Sequence, residues 1–136
     1  MKRLLFIALL IVCASSKAEW VRYGSAKSES FDYYLNPELV KRDADLRTAW
    51  ILFNYNTITD GVKSTVALNE YDCVERKVRN NYLIHYADFM GTGKVLFTSA
   101  PPKDKDYWRT ASDGSVVWAI MQLVCSYDGE KPILRS

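Results

Sequence analysis

The sequence holds a single histidine, His85, and only three cysteines among 136 residues. A zinc site normally draws several His or Cys ligands, so so isolated an imidazole argues against one. His85 with Asp88 is also the sole source of a Ser-His-Asp arrangement, and no G-x-S-x-G elbow accompanies it. The spacing C-x-x-C, which would suggest thiol redox chemistry, does not occur. Gly91-Thr92-Gly93-Lys94 has the wrong spacing for a phosphate-binding loop and lies between two strand patterns, where a hairpin turn accounts for it. Nothing in the sequence positions a carboxylate pair for glycoside cleavage. No catalytic residue, metal or cofactor is therefore assigned, and an enzyme is not expected. Internal repeats, low-complexity tracts and flexible linkers are missing, as is any apolar run of the ~20 residues that a membrane-spanning helix needs.

A dominant charge is missing too. The formal net charge is +2. Lys2, Arg3 and Lys17 all fall within the first 18 residues, beyond which 15 bases face 16 acids. A chain so nearly neutral has no global attraction to nucleic acid or anionic lipid.

What is present begins with residues 1–18, MKRLLFIALLIVCASSKA. Lys2 and Arg3 precede an apolar run from Leu4 to Val12, and Ser16-Lys17-Ala18 offers small side chains at −3 and −1 for cleavage before Glu19. This three-part pattern reads as a secretory signal peptide, leaving 19–136 as one domain. Lipidation at Cys13 fits less well: Leu10 suits the motif, but Val12 stands where Gly, Ala or Ser is required. Loss of Cys13 with the leader leaves Cys73 and Cys125, which in an oxidising compartment have one pairing available.

The mature chain is rich in β-formers, with nine Tyr, four Trp and five Phe in the whole sequence. Strands are expected at Trp20–Tyr23 and Phe31–Leu35, the second stopped by Asn36-Pro37. One helical turn is expected within Glu38–Asp45. The apolar run Thr48–Tyr55 suggests a central strand covered on both faces. Thr59-Asp60-Gly61 supplies a turn. Lys63 to Arg79 then reads as one long β pattern, in which Val66 and Leu68 share a parity that Tyr71 and Cys73 do not, implying a bulge or bend near Asn69. Asn80-Asn81 reads as the next turn, Tyr82–Phe89 as a strand, and Gly91-Thr92-Gly93 as a hairpin into Lys94–Thr98. After the Pro-rich loop Pro101–Asp106 the period changes. Val117, Ile120, Met121 and Val124 fall at i, i+3, i+4 and i+7, one face of a helix, with Ser112, Asp113 or Ser115 as its cap and Asp128-Gly129 as its stop.

A meander of about six antiparallel strands followed by one apolar helix gives an α+β fold with the helix packed on one face of the sheet. A Cys73–Cys125 bond would tie that helix to the long strand. Arg76, Lys77 and Arg79 form a basic cluster, and Lys103 with Lys105 another. Such clusters serve either as solvated charge that protects a sheet edge or as contacts for an acidic partner. Tyr33, Tyr34, Tyr82 and Tyr86 divide in the same way, between core filling and a protein interface.

Taken in order, these residues resemble the bacterial surface-adhesin protein E family. The resemblance rests on Trp20, Tyr34-x-Asn36-Pro37, the Trp50-centred strand ending at Asn54-Tyr55, Ser64 and Glu70-Tyr71-Asp72-Cys73. It continues through Arg76, Tyr86, Met90-Gly91-Thr92-Gly93, Trp108 and a last helix ending at Cys125. It implies a six-stranded antiparallel sheet with a C-terminal helix held by Cys73–Cys125. It further implies export in a Gram-negative bacterium to the periplasm or the outer-membrane surface, adhesion to host extracellular-matrix proteins, and a homodimer. The binding residues expected are Arg76, Lys77, Arg79, Tyr82, Tyr33 and Tyr34. The alternative is a periplasmic binding or inhibitor-like protein that recognises a small ligand, an envelope component or an enzyme.

Overall fold

A computed structural model describes residues 19–101 and 107–127. The leader at 1–18, the Lys103 and Lys105 pair, most of the Pro101–Asp106 loop and the Asp128-Gly129 stop lie outside the described residues.

The strands are β1 (Val21–Ala26), β2 (Phe31–Leu35), β3 (Lys41–Asp43), β4 (Leu46–Thr59), β5 (Val62–Asp72), β6 (Lys77–Tyr86), β7 (Val95–Ser99) and β8 (Arg109–Thr110), followed by one helix, α1 (Val116–Cys125). All pairings are antiparallel, in the spatial order β1-β2-β4-β5-β6-β7. The two short strands extend this order without widening it. β3 pairs with the start of β4, in line with β2, and β8 pairs with the start of β6, in line with β7. The six-row sheet expected from the sequence is thus present, with two of its rows, β2/β3 and β7/β8, each made in two pieces.

Local chemistry explains most of the turns. Asn36 Oδ1 accepts from the Glu38 N–H, and Pro37 opens a 3-10 turn at Pro37–Leu39. The helical turn expected in Glu38–Asp45 is confined to that start; from Lys41 the chain pairs with β4 instead. Asp60 and Gly61 both take positive φ, at 53° and 77°, and close the β4–β5 hairpin in two residues.

The region between β5 and β6 departs from the sequence expectation. Lys63 to Arg79 is not one strand but two, reversing at Cys73–Arg76. No glycine marks this turn. The Asp72 carboxylate builds it by accepting from the Val74 and Glu75 N–H groups, and Arg76 completes it at φ 57°. Asn80-Asn81, expected as a turn, lies inside β6. Leu68 pairs with Tyr82 and Asn69 with Asn80, which leaves Asn81 as the extra residue of a bulge. A bulge does lie near Asn69, but on the opposing strand; β5 itself alternates without interruption, and Val66 and Leu68 differ in parity from Tyr71 because they face outward while Tyr71 faces the helix.

Helix α1 starts where Ser115 Oγ accepts from the Trp118 N–H, and it ends at Cys125. Its stripe of Ile120, Met121 and Val124 is buried against Leu35, Ala49, Ile51, Tyr71 and Val78, which are contributed by β2, β4, β5 and β6. Burial of three such side chains contributes roughly 2 kcal/mol each. Val117, the fourth member of the stripe, is half-buried. Three ties fix the helix, one at its N-terminal end and two at its C-terminal end. Cys125 is bonded to Cys73, which sits in the β5–β6 turn and not within a strand as the sequence suggested. The Arg76 guanidinium lies 3.8 Å from the Trp118 ring centroid and pairs with Asp113. Buried Arg47 donates to the Tyr127 carbonyl at 3.1 Å and to the Ala44 and Leu46 carbonyls.

Candidate functional site

The helix covers one face of the sheet. On the other, strand alternation and register bring together Tyr34 from β2, Trp50 and Leu52 from β4, Val66, Leu68 and Glu70 from β5, and Arg79, Tyr82 and Ile84 from β6. One end of this outer face is roofed by the segment after β6. Ser64 Oγ donates to the Asp88 carbonyl at 2.5 Å and accepts from the Gly91 N–H at 2.9 Å. Asn54 Oδ1 accepts from the Met90 N–H at 2.8 Å. Gly91 takes φ 64°, and a Cβ there would lie 2.9 Å from Val66 Cγ2 and 3.1 Å from Leu52 Cδ1. Only glycine combines that backbone with that approach. Leu52 and Val66 are buried beneath it.

Beyond the roof the face carries a half-buried row, Trp50, Leu68 and Tyr82 in direct register. Next to it Arg79 pairs with Glu70 at 2.9 Å, and its guanidinium lies 4.5 Å from the Trp108 ring centroid. Lys77 is exposed one step further along β6. Trp, Tyr and Arg are the residue types enriched at protein interfaces.

Of the expected binding residues, Lys77, Arg79, Tyr82 and Tyr34 lie on this face. Tyr33 lies on the opposite one. It packs against the core and across Gly24, where a Cβ would meet its hydroxyl at 2.6 Å. Arg76 sits in the β5–β6 turn, engaged by Trp118 and Asp113. Trp50, Leu68, Glu70 and Trp108 were not singled out as binding residues from the sequence. The nearly continuous apolar run Thr48–Tyr55 hid the alternation that turns Ala49 and Ile51 to the helix and Trp50 away from it.

His85 does not face Asp88 as a catalytic pair would. Its Nδ1 lies 2.9 Å from Thr65 Oγ1, which accepts from the Tyr55 hydroxyl at 3.0 Å, while the Asp88 carboxylate pairs with Lys63. The imidazole stacks on Phe97 with centroids 4.1 Å apart, and burial pushes its pKa below the ordinary value. Phe97 belongs to β7, an edge strand on which Val95, Leu96 and Phe97 are 46%, 37% and 50% exposed. Among the described residues no group of three or more His, Cys, Asp or Glu side chains is placed to hold a metal ion, and no helix is long and apolar enough to cross a membrane.

Three comparisons bear on this architecture. The family model described as surface-adhesin protein E matches residues 20–126. No curated protein sequence matches the chain. Among solved structures, protein E from non-typeable Haemophilus influenzae superposes with a TM-score of 0.54 at 14% identity, covering 83% of this chain and 79% of that one. The selenomethionine form of Haemophilus influenzae protein E superposes with a TM-score of 0.58 at 16% identity, covering 77% and 85%. At these identities the likeness establishes a shared fold.

Proposed function

The chain belongs to the surface-adhesin protein E family, and from that premise we propose that it is an exported, non-enzymatic binding protein that adheres to host extracellular-matrix proteins. Residues 1–18 direct export and are removed. The mature domain, 19–136, then acts at the outer-membrane surface of a Gram-negative bacterium. The observation that carries the reading is the outer sheet face, where Tyr82, Trp50 and Leu68 adjoin an Arg79 set over Trp108. Large rigid aromatics supply apolar contact at low entropic cost, and the neighbouring cations Lys77 and Arg79 add attraction to acidic matrix proteins.

The test is binding of the mature, oxidised protein to an immobilised basement-membrane extract. Binding should saturate and should weaken as salt rises, because exposed charges are screened. Tyr82→Ala should weaken it about 30-fold, as loss of a central aromatic anchor does. Lys77→Glu should weaken it at low salt and much less at high salt. Gln122→Ala, on the exposed side of the helix, should leave it unchanged. Equal binding by all four proteins, with native circular dichroism, would refute the assignment of this face. Protease shaving of intact cells tests location: an adhesin is cut, and a periplasmic protein is spared.

A further inference from the structure

The sheet face that α1 covers continues past the helix toward the β4–β5 hairpin. There Thr65, His85 and Phe97 stand in direct register across β5, β6 and β7, and Tyr55 of β4 reaches Thr65. Together with Thr57, Thr59 and Asp60 of the hairpin they line an open hollow of about 250 Å3. The hydrogen bonds place the proton of the imidazole. Tyr55 Oη donates to Thr65 Oγ1 at 3.0 Å, so the single hydroxyl proton of Thr65 goes to His85 Nδ1, 2.9 Å away. Nδ1 is then the acceptor of the neutral ring, and Nε2 carries the proton. Nε2 has no hydrogen-bond partner among the described residues and is not one of the buried unpaired atoms, so this N–H is a donor open to solvent. Asp60, exposed and in no ion pair among the described residues, offers an acceptor. Phe97, stacked on the imidazole and still 50% exposed, offers apolar surface.

From this geometry we propose that the hollow binds one neutral hexopyranose ring of a glycan, which accepts from His85 Nε2–H, donates to Asp60 and lays its C–H groups against Phe97. The ligand must both accept and donate, as hydroxyl groups do. An anion is disfavoured, because Asp60 is the one charged group in the lining beside a neutral imidazole. An ammonium group would satisfy Asp60 but would meet the Nε2–H donor with another donor. A pyranose combines hydroxyls around its rim with apolar C–H groups on its face. The size fits too, since a cavity of roughly 150 Å3 accepts a six-membered ring. A few placed polar groups beside an aromatic wall are the usual means of orienting a small ligand. Host glycans and envelope polysaccharide both carry such rings. This hollow lies on the opposite side of the sheet from the adhesive face and stands independently of it.

The experiment is a titration of the mature, oxidised protein with the methyl glycosides of galactose, glucose and mannose, followed by 1H–15N correlation spectra. At least one should shift the Asp60, His85 and Phe97 amides saturably and leave Lys77, on the other face, unmoved. The corresponding methyl uronoside, the same ring with a carboxylate, should bind about 5-fold more weakly. Tetrahydropyran, the ring without hydroxyls, should not bind. His85→Phe keeps the stack on Phe97 but removes the N–H, and should weaken binding about 10-fold. Should His85→Phe fail to fold, Phe97→Ala, at an exposed position of an edge strand, leaves the hydrogen-bonded chain in place and should weaken binding about 5-fold. A galactose-terminated N-glycan and a core oligosaccharide from the outer membrane then distinguish the sources, the tighter binder being the one recognised. Absence of saturable shifts with all three glycosides, a uronoside that binds as tightly as its neutral parent, or unchanged binding by the folded variants would overturn the proposal.

Discussion

Removal of the Cys73–Cys125 bond should cost a large share of the stability margin without changing the fold. The bonded cysteines are 52 positions apart. In the chain-entropy model, opening a loop of that length releases about 14 cal/mol/K to the unfolded chain, or about 4 kcal/mol at 25 °C. Typical domains hold only ~5–15 kcal/mol in total. For a domain of this size the loss corresponds to a fall in Tm of roughly 15 °C. The native state should survive, because Arg76 with Trp118 and Asp113, and Arg47 with Tyr127, tie the same elements together without sulfur. Calorimetry and urea unfolding of Cys73→Ser, Cys125→Ser and the double variant measure the effect. All three should lose about the same amount, since either substitution opens the same loop. Additive losses in the double variant, or a fall in Tm under about 4 °C, would refute the loop-opening account.

Gly91→Ala should destabilise by about 2 kcal/mol, through positive φ and overlap with Val66 and Leu52; urea midpoints check it, and a neutral result would mean the roof moves freely. Ser115→Ala removes the oxygen that accepts from Trp118 N–H and should cost about 1 kcal/mol, read as a fall in thermal stability. His85 makes stability pH-dependent. Its folded pKa lies below the ordinary 6.5, so the unfolded chain binds the proton first. The His85 contribution is therefore complete above about pH 6.5 and is lost as pH falls toward the lower folded value. Urea midpoints between pH 7.5 and 5 should fall in the parent protein and stay flatter in His85→Gln, and equal slopes would contradict the assignment.

The legible parts of the fold were those written in local chemistry. The 3.6-residue stripe of α1 and the Asp60-Gly61 turn each depend on a few neighbouring residues, and each appears where the sequence placed it. The turn after β5 was not legible, because a carboxylate and an arginine at positive φ build it where glycine would ordinarily advertise a reversal. Asn80-Asn81 misled for the complementary reason: asparagine tolerates turns and bulges alike, and only the pairing of Leu68 and Asn69 decides between them. The Tyr82 and Arg79 part of the outer face could be suspected from residue type. Its union with Trp50 and Trp108 could not, since both depend on the register of strands distant in sequence. The hollow beside His85 had no signal at all, since Thr65, His85 and Phe97 meet only through the pairing of three strands.

Strand β7 lies at the rim of the sheet, five residues long and exposed along its whole length. Its outward amides have no further strand beside them among the described residues, and water satisfies them while molecules are far apart. Crowding changes that balance, because an identical rim on a neighbour offers the same amides with apolar Val95, Leu96 and Phe97 alongside. Where copies are gathered densely, this rim is the place at which packing them side by side would first be felt.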